Sequence, residues 1–353
     1  MNWHWTTLHH VLQVATTSVV VADHLFYRQV AARPDGIIVK AVRSGLDFSR
    51  KHQRLARAGQ FIISRFHARQ GAFGVVPPEL DAGIVTGDYL VFSIPPDVNP
   101  DYFAAYLATP AFRRACQEAS GPKGRLYLQQ FRNIPFPIPS PEDQGRIADL
   151  WQAAREAQSH TRDMLNQMIA IRQGVASDWF GKANPSWERR QLGDCAASGG
   201  RYPGENQVYV LPPDTILFNP DEAPEGGTGF ATTPELDANY LYYYLEYHKP
   251  VVRAALSAPG AQPEAALGAM PFALPTLYEQ RKIVGVLQQA DDAVMRLRAE
   301  NRTLRKLTTG LMNAIFTGGM HLQEATHLLG GLLLLLVFLL AAFSGNTEVV
   351  AMV

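Results

Sequence analysis

Cysteine is scarce: the 353 residues contain only Cys116 and Cys195, and neither stands at the spacing of a zinc site or a redox pair. A disulfide framework is therefore excluded, and a reducing, cytoplasmic setting is expected. Histidine gives no metal motif either. His4, His9 and His10 are close in sequence but lack ligand spacing, and they read as surface or core histidines. There is no Walker phosphate loop and no His-Glu-x-x-His pair. Asn219-Pro220-Asp221 is a faint echo of a methyltransferase Asn-Pro-Pro motif, but no glycine-rich loop after a strand supports it. Gly226-Gly227-Thr228-Gly229 lies among acidic residues, which argues against a phosphate cradle. The N-terminus lacks a basic stretch followed by an apolar core, so no secretory signal is expected.

Net charge is also missing, since 32 Lys and Arg offset 32 Asp and Glu. That zero conceals an asymmetry. Residues 1–140 carry 15 basic against 9 acidic side chains, a net +6, while residues 186–275 carry 5 against 11, a net −6. A basic first module suits a polyanion such as DNA; an acidic second one does not. Solubilising charge is the alternative source of the same numbers.

What the chain does have is a repeat at one constant offset. Pro135-Phe136 returns as Pro271-Phe272, Pro139 as Pro275 and Gln144 as Gln280, each 136 positions on. Ile147 and Ile283, Gly174 and Gly310, and Phe180 and Phe316 keep the same offset. A fixed period means one supersecondary unit used twice. The unit is a proline-punctuated lead-in followed by a long helix.

The first helix is expected from about Glu142 to Phe180, with Ser140-Pro141 as cap and first helical position. The second is expected from about Tyr278 to Phe316, capped by Thr276 and stopped at Thr317-Gly318. At 1.5 Å per residue each would be roughly 55–60 Å long. In the second helix Ile283, Leu287, Ala290, Val294, Leu297, Asn301, Leu304, Thr308, Leu311 and Ile315 form a seam of alternating four- and three-residue steps. The first helix offers Ile147, Trp151, Ala154, Gln158, Thr161, Leu165, Met168, Arg172, Val175 and Trp179, a less regular seam. The two helices are expected to pair antiparallel. Asn301 would either be buried and pin the register or reach solvent from a loose seam.

Outside these helices, up to residue 275, the chain reads as globular. In residues 1–140, Phe61-Ile62-Ile63 and Gly83-Ile84-Val85 are expected as short buried strands. Asn99-Pro100 opens a helix carrying Tyr102, Phe103, Tyr106 and Leu107, and Ser120-Gly121-Pro122-Lys123-Gly124-Arg125 forms a basic turn. Alternating prolines at 135, 137, 139 and 141 force an extended strap. The second module enters at Trp187-Glu188-Arg189-Arg190-Gln191-Leu192-Gly193. Its helix at Tyr240 mirrors the one at Tyr102. It has Ala258-Pro259-Gly260-Ala261-Gln262-Pro263 in place of the basic turn.

One stretch of the first module carries most of the information: Gly59-Gln60-Phe61-Ile62-Ile63-Ser64-Arg65-Phe66-His67-Ala68-Arg69-Gln70-Gly71-Ala72-Phe73-Gly74-Val75-Val76-Pro77. A strand runs into an arginine-bearing turn and then a glycine-rich strand. With Leu80-Asp81-Ala82-Gly83-Ile84-Val85, with residues 120–144, and with Glu279-Gln280-Arg281-Lys282-Ile283, it resembles the specificity (S) subunits of type I restriction–modification systems. The closing Ala314-Ile315-Phe316-Thr317-Gly318 is similar to that family's second-helix ending. The likeness covers about residues 1–318. Gly87-Asp88-Tyr89-Leu90-Val91-Phe92 departs from the family's Asn-Asp-Phe-Pro pattern.

The resemblance implies an α+β fold: two mixed α/β target-recognition modules separated by two long helices that pair as an antiparallel coiled coil. It implies a first target-recognition domain over 1–140 and a first spacer helix over 141–185. A shortened acidic second domain follows over 186–275, then a second spacer helix over 276–318 and a hydrophobic tail over 319–353. Its partners would be double-stranded DNA, DNA methyltransferase (modification) subunits and restriction subunits. The chain itself would do no bond chemistry and hold no cofactor; S-adenosylmethionine, ATP and magnesium would belong to the partner chains. The residues expected at DNA are Ser64, Arg65, His67, Arg69, Gln70, Lys123 and Arg125, with Gly71 and Gly74 serving the backbone. Guanidinium groups fork onto guanine O6 and N7 or hold phosphates.

Two features do not fit the family. The second module is short and acidic, and its degeneracy would leave a half-site binder or a relict. The stretch 328–343 lacks any charged side chain but falls short of the ~20 residues of a membrane span. A membrane segment, a covered helix and a tail foreign to the reading frame all remain open for it. The alternative function is a membrane-tethered coiled-coil interaction protein. An enzyme with an unrecognised active site is the third reading.

Overall fold

The computed structural model describes residues 3–34, 36–182, 184–198, 207–211, 215–218, 227–257, 262–325, 327 and 330–331. The described residues divide into two compact units, one built from those up to 160 and from 301 to 331, the other from those between 161 and 300. Each unit holds a globular module and portions of both long helices.

The long helices are Pro141–Ala176, whose last turn widens into a π-type turn at Ser177–Gly181, and Leu277–Phe316. Their starts follow from their caps. The Ser140 hydroxyl accepts from the Asp143 N–H at 3.2 Å, and Pro141 occupies the first turn, where its missing N–H costs nothing. Thr276 and Glu279 form a reciprocal box: the Thr276 N–H donates to Glu279 Oε2 at 2.9 Å, and the Glu279 N–H donates to the Thr276 hydroxyl at 3.4 Å. The second helix stops where Gly318 turns left-handed at φ +73°.

All ten residues of the second seam are buried, from Ile283 to Ile315. The first seam is mixed. Ile147, Ala154, Thr161 and Met168 are buried, while Trp151, Gln158, Leu165, Arg172, Val175 and Trp179 are half-buried. The helices run antiparallel: Gln158 meets Thr308 in the first unit and Arg172 meets Asp291 in the second. Asn301 is buried, and its Oδ1 has no hydrogen-bond partner. This is the geometry of a costly register residue rather than of a solvent-reaching one.

The first unit's module opens with the strand His4–Thr7, which pairs antiparallel with Pro135–Ile138, so the proline strap is a two-stranded ribbon. Prolines fit there because an edge strand can lose alternate donors. The main sheet has four antiparallel strands in the order Gln13–Val14, Tyr89–Ser93, Phe61–Ser64, Phe73–Val75. A second sheet of five strands runs Ser18–Val20, His52–Ala56, Gly83–Val85, Phe26–Arg33, Gly36–Ser44. The core beneath the main sheet is aromatic: Phe61 stacks near Phe92 and Phe131 and meets Phe103 edge-on. Phe316, at the end of the second long helix, packs against Tyr102 and Tyr106.

The second unit repeats this plan. Glu188–Gln191 pairs with Pro271–Leu274, and Phe180 at the end of the first long helix packs against Tyr240 and Tyr244. Its sheet has four antiparallel strands in the order Ala196–Ser198, Thr228–Thr232, Gln207–Leu211, Thr215–Phe218. That is the topology of the first module's main sheet. Among the described residues it has no counterpart of the five-stranded sheet. The two entry strands lie further apart along the chain than the two exit strands, so the second module is the shorter one. The sequence expectations on Asn219-Pro220-Asp221, Gly226 and residues 258–261 lie outside the described residues. So does most of the stretch 328–343; only Gly330 and Gly331 are described. No helix among the described residues is long and apolar enough to cross a membrane.

Each module is clasped to its long helix by a buried glutamine. Gln144 accepts from the Asn99 N–H at 2.9 Å and donates to the carbonyls of Pro139 and Asp97. Gln280 accepts from the Asp237 N–H at 2.7 Å and donates to the carbonyls of Pro275 and Glu235. Asn99 and Asp237 in turn cap the helices Pro100–Leu107 and Ala238–Tyr247. The constant Pro…Gln spacing of the repeat is thus the spacing of a hydrogen-bonded clasp.

Candidate nucleic-acid interface

The strand Phe61–Ser64 ends at a tight, internally bonded turn. Ser64 is 3% exposed. Its hydroxyl accepts from the His67 N–H at 3.2 Å. The His67 carbonyl accepts from both Gln70 and Ala72, and the Ser64 N–H donates to the Ala72 carbonyl. Ala68 is fully buried and anchors the short helical turn Ala68–Gln70. Gly71 closes the turn at φ +89°, a backbone state that a side chain would strain. Gly74 allows close approach, since a Cβ there would stand 3.1 Å from Ile37 Cδ1. The turn is therefore rigid, and its outward residues Phe66, His67, Arg69 and Gln70 are exposed.

The basic turn at residues 120–126 docks against it. The Leu126 N–H donates to the Arg65 carbonyl at 2.7 Å, and the Arg65 N–H donates to the Asp88 carbonyl at 2.8 Å. The Arg125 guanidinium lies over the Phe66 ring, 5.7 Å from its centroid. Gly124 sits so close to Arg69 that a Cβ would be 3.6 Å from Nη1. Two motifs far apart in sequence therefore form one surface. Arg65, Arg69 and Arg125 meet there, Ser64 supports it from within, and His67 and Gln70 lie on the same turn. Lys123 is exposed on the facing turn.

Two cations join that the sequence does not single out. Arg113, on the helix Pro110–Glu118, brings its guanidinium to within 3.4 Å of a Cβ position at Gly71. Arg54 reaches in from the five-stranded sheet and donates to the Tyr89 carbonyl at 3.1 Å. Neither sits in a motif, so only tertiary contact reveals them.

The electrostatics of this surface are unbalanced. Burial, then the charges of Arg125 and Arg54, hold the Arg65 pKa below the ordinary arginine value, and Asp88 opposes them. Arg65 Nε is shielded from solvent and has no hydrogen-bond partner. The side chains of Arg69, Arg113, Lys123 and Arg125 make no hydrogen bond or ion pair among the described residues. Several basic groups elsewhere in the module do have acceptors. Lys51 pairs with Asp23, Arg57 with Asp81, and Arg28 donates to two carbonyls. Clustered unpaired cations repel one another in the free protein, and an incoming polyanion relieves that repulsion.

In the second module the corresponding strands Gln207–Leu211 and Thr215–Phe218 are joined only by 212–214, which lie outside the described residues. Arg190 is held by Glu188 and Glu235, and Lys249 by Glu246. Among the described residues no group of three His, Cys, Asp or Glu could hold a metal ion.

The architecture is an α+β arrangement of two sheet modules on two long helices in mutual contact. Solved structures share it. The S subunit of a type I restriction–modification system from M. genitalium superposes with a TM-score of 0.58, covering 89% of this chain and 96% of that one at 11% identity. A chain from a structure describing complex assembly and conformational transition of the type I R-M system gives a TM-score of 0.51 at 18% identity, covering 92% and 97%. No family model and no curated protein matches the chain.

Proposed function

We propose that this chain is the DNA-recognition (specificity) subunit of a type I restriction–modification complex. It directs partner methyltransferase and restriction subunits to a DNA site and does no bond chemistry itself. S-adenosylmethionine, ATP and magnesium are used by those partners. The observation that carries this reading is the unpaired cationic surface of Arg65, Arg69, Arg113, Lys123 and Arg125, gathered from the rigid turn, the facing basic turn and the helix Pro110–Glu118, within a fold shared with a solved S subunit. Phosphates would set the orientation of the complex, and forked guanidinium contacts would read bases.

The reading assigns DNA contact to the module within residues 1–140. The acidic module within 186–275 lacks the arginine turn and acts chiefly as a scaffold element. The long helices space the modules and offer their outer faces to the methyltransferase partner.

The test is co-purification with a neighbouring methyltransferase subunit, followed by DNA binding at low salt, where the phosphate contribution is strongest. DNA binding that weakens steeply with added salt is expected. No binding at low salt would refute the reading, and methyl transfer by the purified chain alone would replace it.

A further inference from the structure

The DNA-facing turn carries an aromatic ring that the fold does not use. Phe66 is 44% exposed and lies outside the hydrophobic clusters that hold the first module's sheets together. It follows Arg65 in the chain and precedes the turn's remaining outward residues, His67, Arg69 and Gln70. Its backbone is fixed by the bonds from His67 to Ser64 and from Ala72 to His67, and by the buried Ala68. One flank of the ring is occupied by the Arg125 guanidinium. A single exposed phenylalanine is unremarkable on most surfaces. Here it is held rigidly, braced by a cation, and ringed by unpaired positive charge that would bring a phosphate backbone to it.

We propose that Phe66 is a base-stacking wedge. When DNA docks on the arginine surface, the ring enters a base step and unstacks it, while Arg125 braces the ring and contacts the adjacent phosphate. Apolar wedges of this kind insert at flexible base steps, and the unstacking makes binding sensitive to sequence without hydrogen-bond readout. Phe66 thereby becomes a specificity-determining residue, distinct from the cations that supply general affinity. This inference rests on the DNA-recognition reading above.

The test uses the full chain with its methyltransferase partner. Duplexes are first enriched from a random-sequence pool by repeated binding. The enriched duplex is then made with 2-aminopurine at each adenine in turn. Wild-type protein is expected to raise the fluorescence several-fold at one position, reporting an unstacked base. Phe66→Ala should abolish that rise and weaken binding of the enriched duplex by roughly tenfold, in keeping with the loss of one base stack. It should bind the unselected pool as wild type does, because its cations are intact. Phe66→Trp should restore both signals. The fold does not depend on this ring, so the thermal unfolding of Phe66→Ala should match wild type. Wild-type binding with no fluorescence rise at any position would overturn the wedge and leave DNA recognition standing. So would a Phe66→Ala protein that behaves as wild type. Failure to bind any DNA would instead overturn the DNA-recognition reading itself, and the wedge with it.

Discussion

Both modules build the same four-stranded sheet, but they join two of its strands differently. Residues 65–72 link Phe61–Ser64 to Phe73–Val75, whereas residues 212–214 link Gln207–Leu211 to Thr215–Phe218. The longer link is a rigid platform for cations; the shorter one is three residues, Pro212-Pro213-Asp214, with no basic side chain. The clasps at the other end of each module match in their chemistry, glutamine for glutamine and tyrosine for tyrosine. Tyr102 and Tyr106 donate to the carbonyls of Pro137 and Pro135, and Tyr240 and Tyr244 donate to those of Ala273 and Pro271. The comparison separates attachment to the long helices, which both modules share, from the cationic platform, which the described residues show in the first module alone.

The largest effect expected from breaking this comparison is on DNA affinity. Arg65→Ala combined with Arg125→Ala should weaken DNA binding about a hundredfold or more, at about 1–3 kcal/mol for each forked contact. Arg253→Ala, on the second module's helix Lys249–Leu256, should change it little. Fluorescence anisotropy with a labelled duplex measures both. Equal losses would erase the functional difference between the modules.

The next effect tests their likeness. Gln144→Ala and Gln280→Ala each leave a part-buried N–H and two carbonyls without their glutamine partner, at a cost of about 2–3 kcal/mol of stability. Chemical denaturation should show similar losses for the two. A large loss for one alone would mean that only one clasp supports its module.

The constant offset of the repeat made those clasps legible in the sequence. Pro139, Gln144, Pro275 and Gln280 recur because the hydrogen-bond geometry recurs, and the long helices follow from their caps and seams. The entry strands were only half legible. Trp3 and Leu8 return as Trp187 and Leu192, and both leucine N–H groups donate across to the exit turns, at Ile134 and Met270. These pairs are set wider apart than the pairs of the helical repeat, so a search at one period passes over them. The five-stranded sheet was illegible beyond Gly83–Val85, because its strands carry mixed polar and apolar residues and an exposed outer face. In the site, the turn at residues 64–71 and the basic turn were visible as motifs. Arg54 and Arg113 were not, because their membership depends on sheet and helix packing alone.

Smaller effects sharpen the contrast further. Lys123→Ala should weaken DNA binding about equally on all sequences and lower the salt slope of log affinity by about one. A slope that stays the same would place Lys123 away from phosphate. The smallest effect concerns a contact particular to the second unit. The Tyr243 hydroxyl donates to Asp291 Oδ2 at 2.8 Å, and Asp291 also holds Arg172. Tyr243→Phe should lower stability by about 1 kcal/mol in thermal unfolding, the net worth of one ordinary hydrogen bond, because Asp291 keeps Arg172 as its partner. Where Tyr240 aligns with Tyr102, Tyr243 aligns with Ala105, so no equivalent loss exists in the first module.

The most direct test of the central claim is a hydroxyl-radical footprint of the full chain, bound with its methyltransferase partner to an enriched duplex. Protection confined to one continuous half of the site, lost in Arg65→Ala, is the predicted result. Two protected half-sites separated by a gap, with the second surviving Arg65→Ala, would contradict the assignment of DNA reading to the first module.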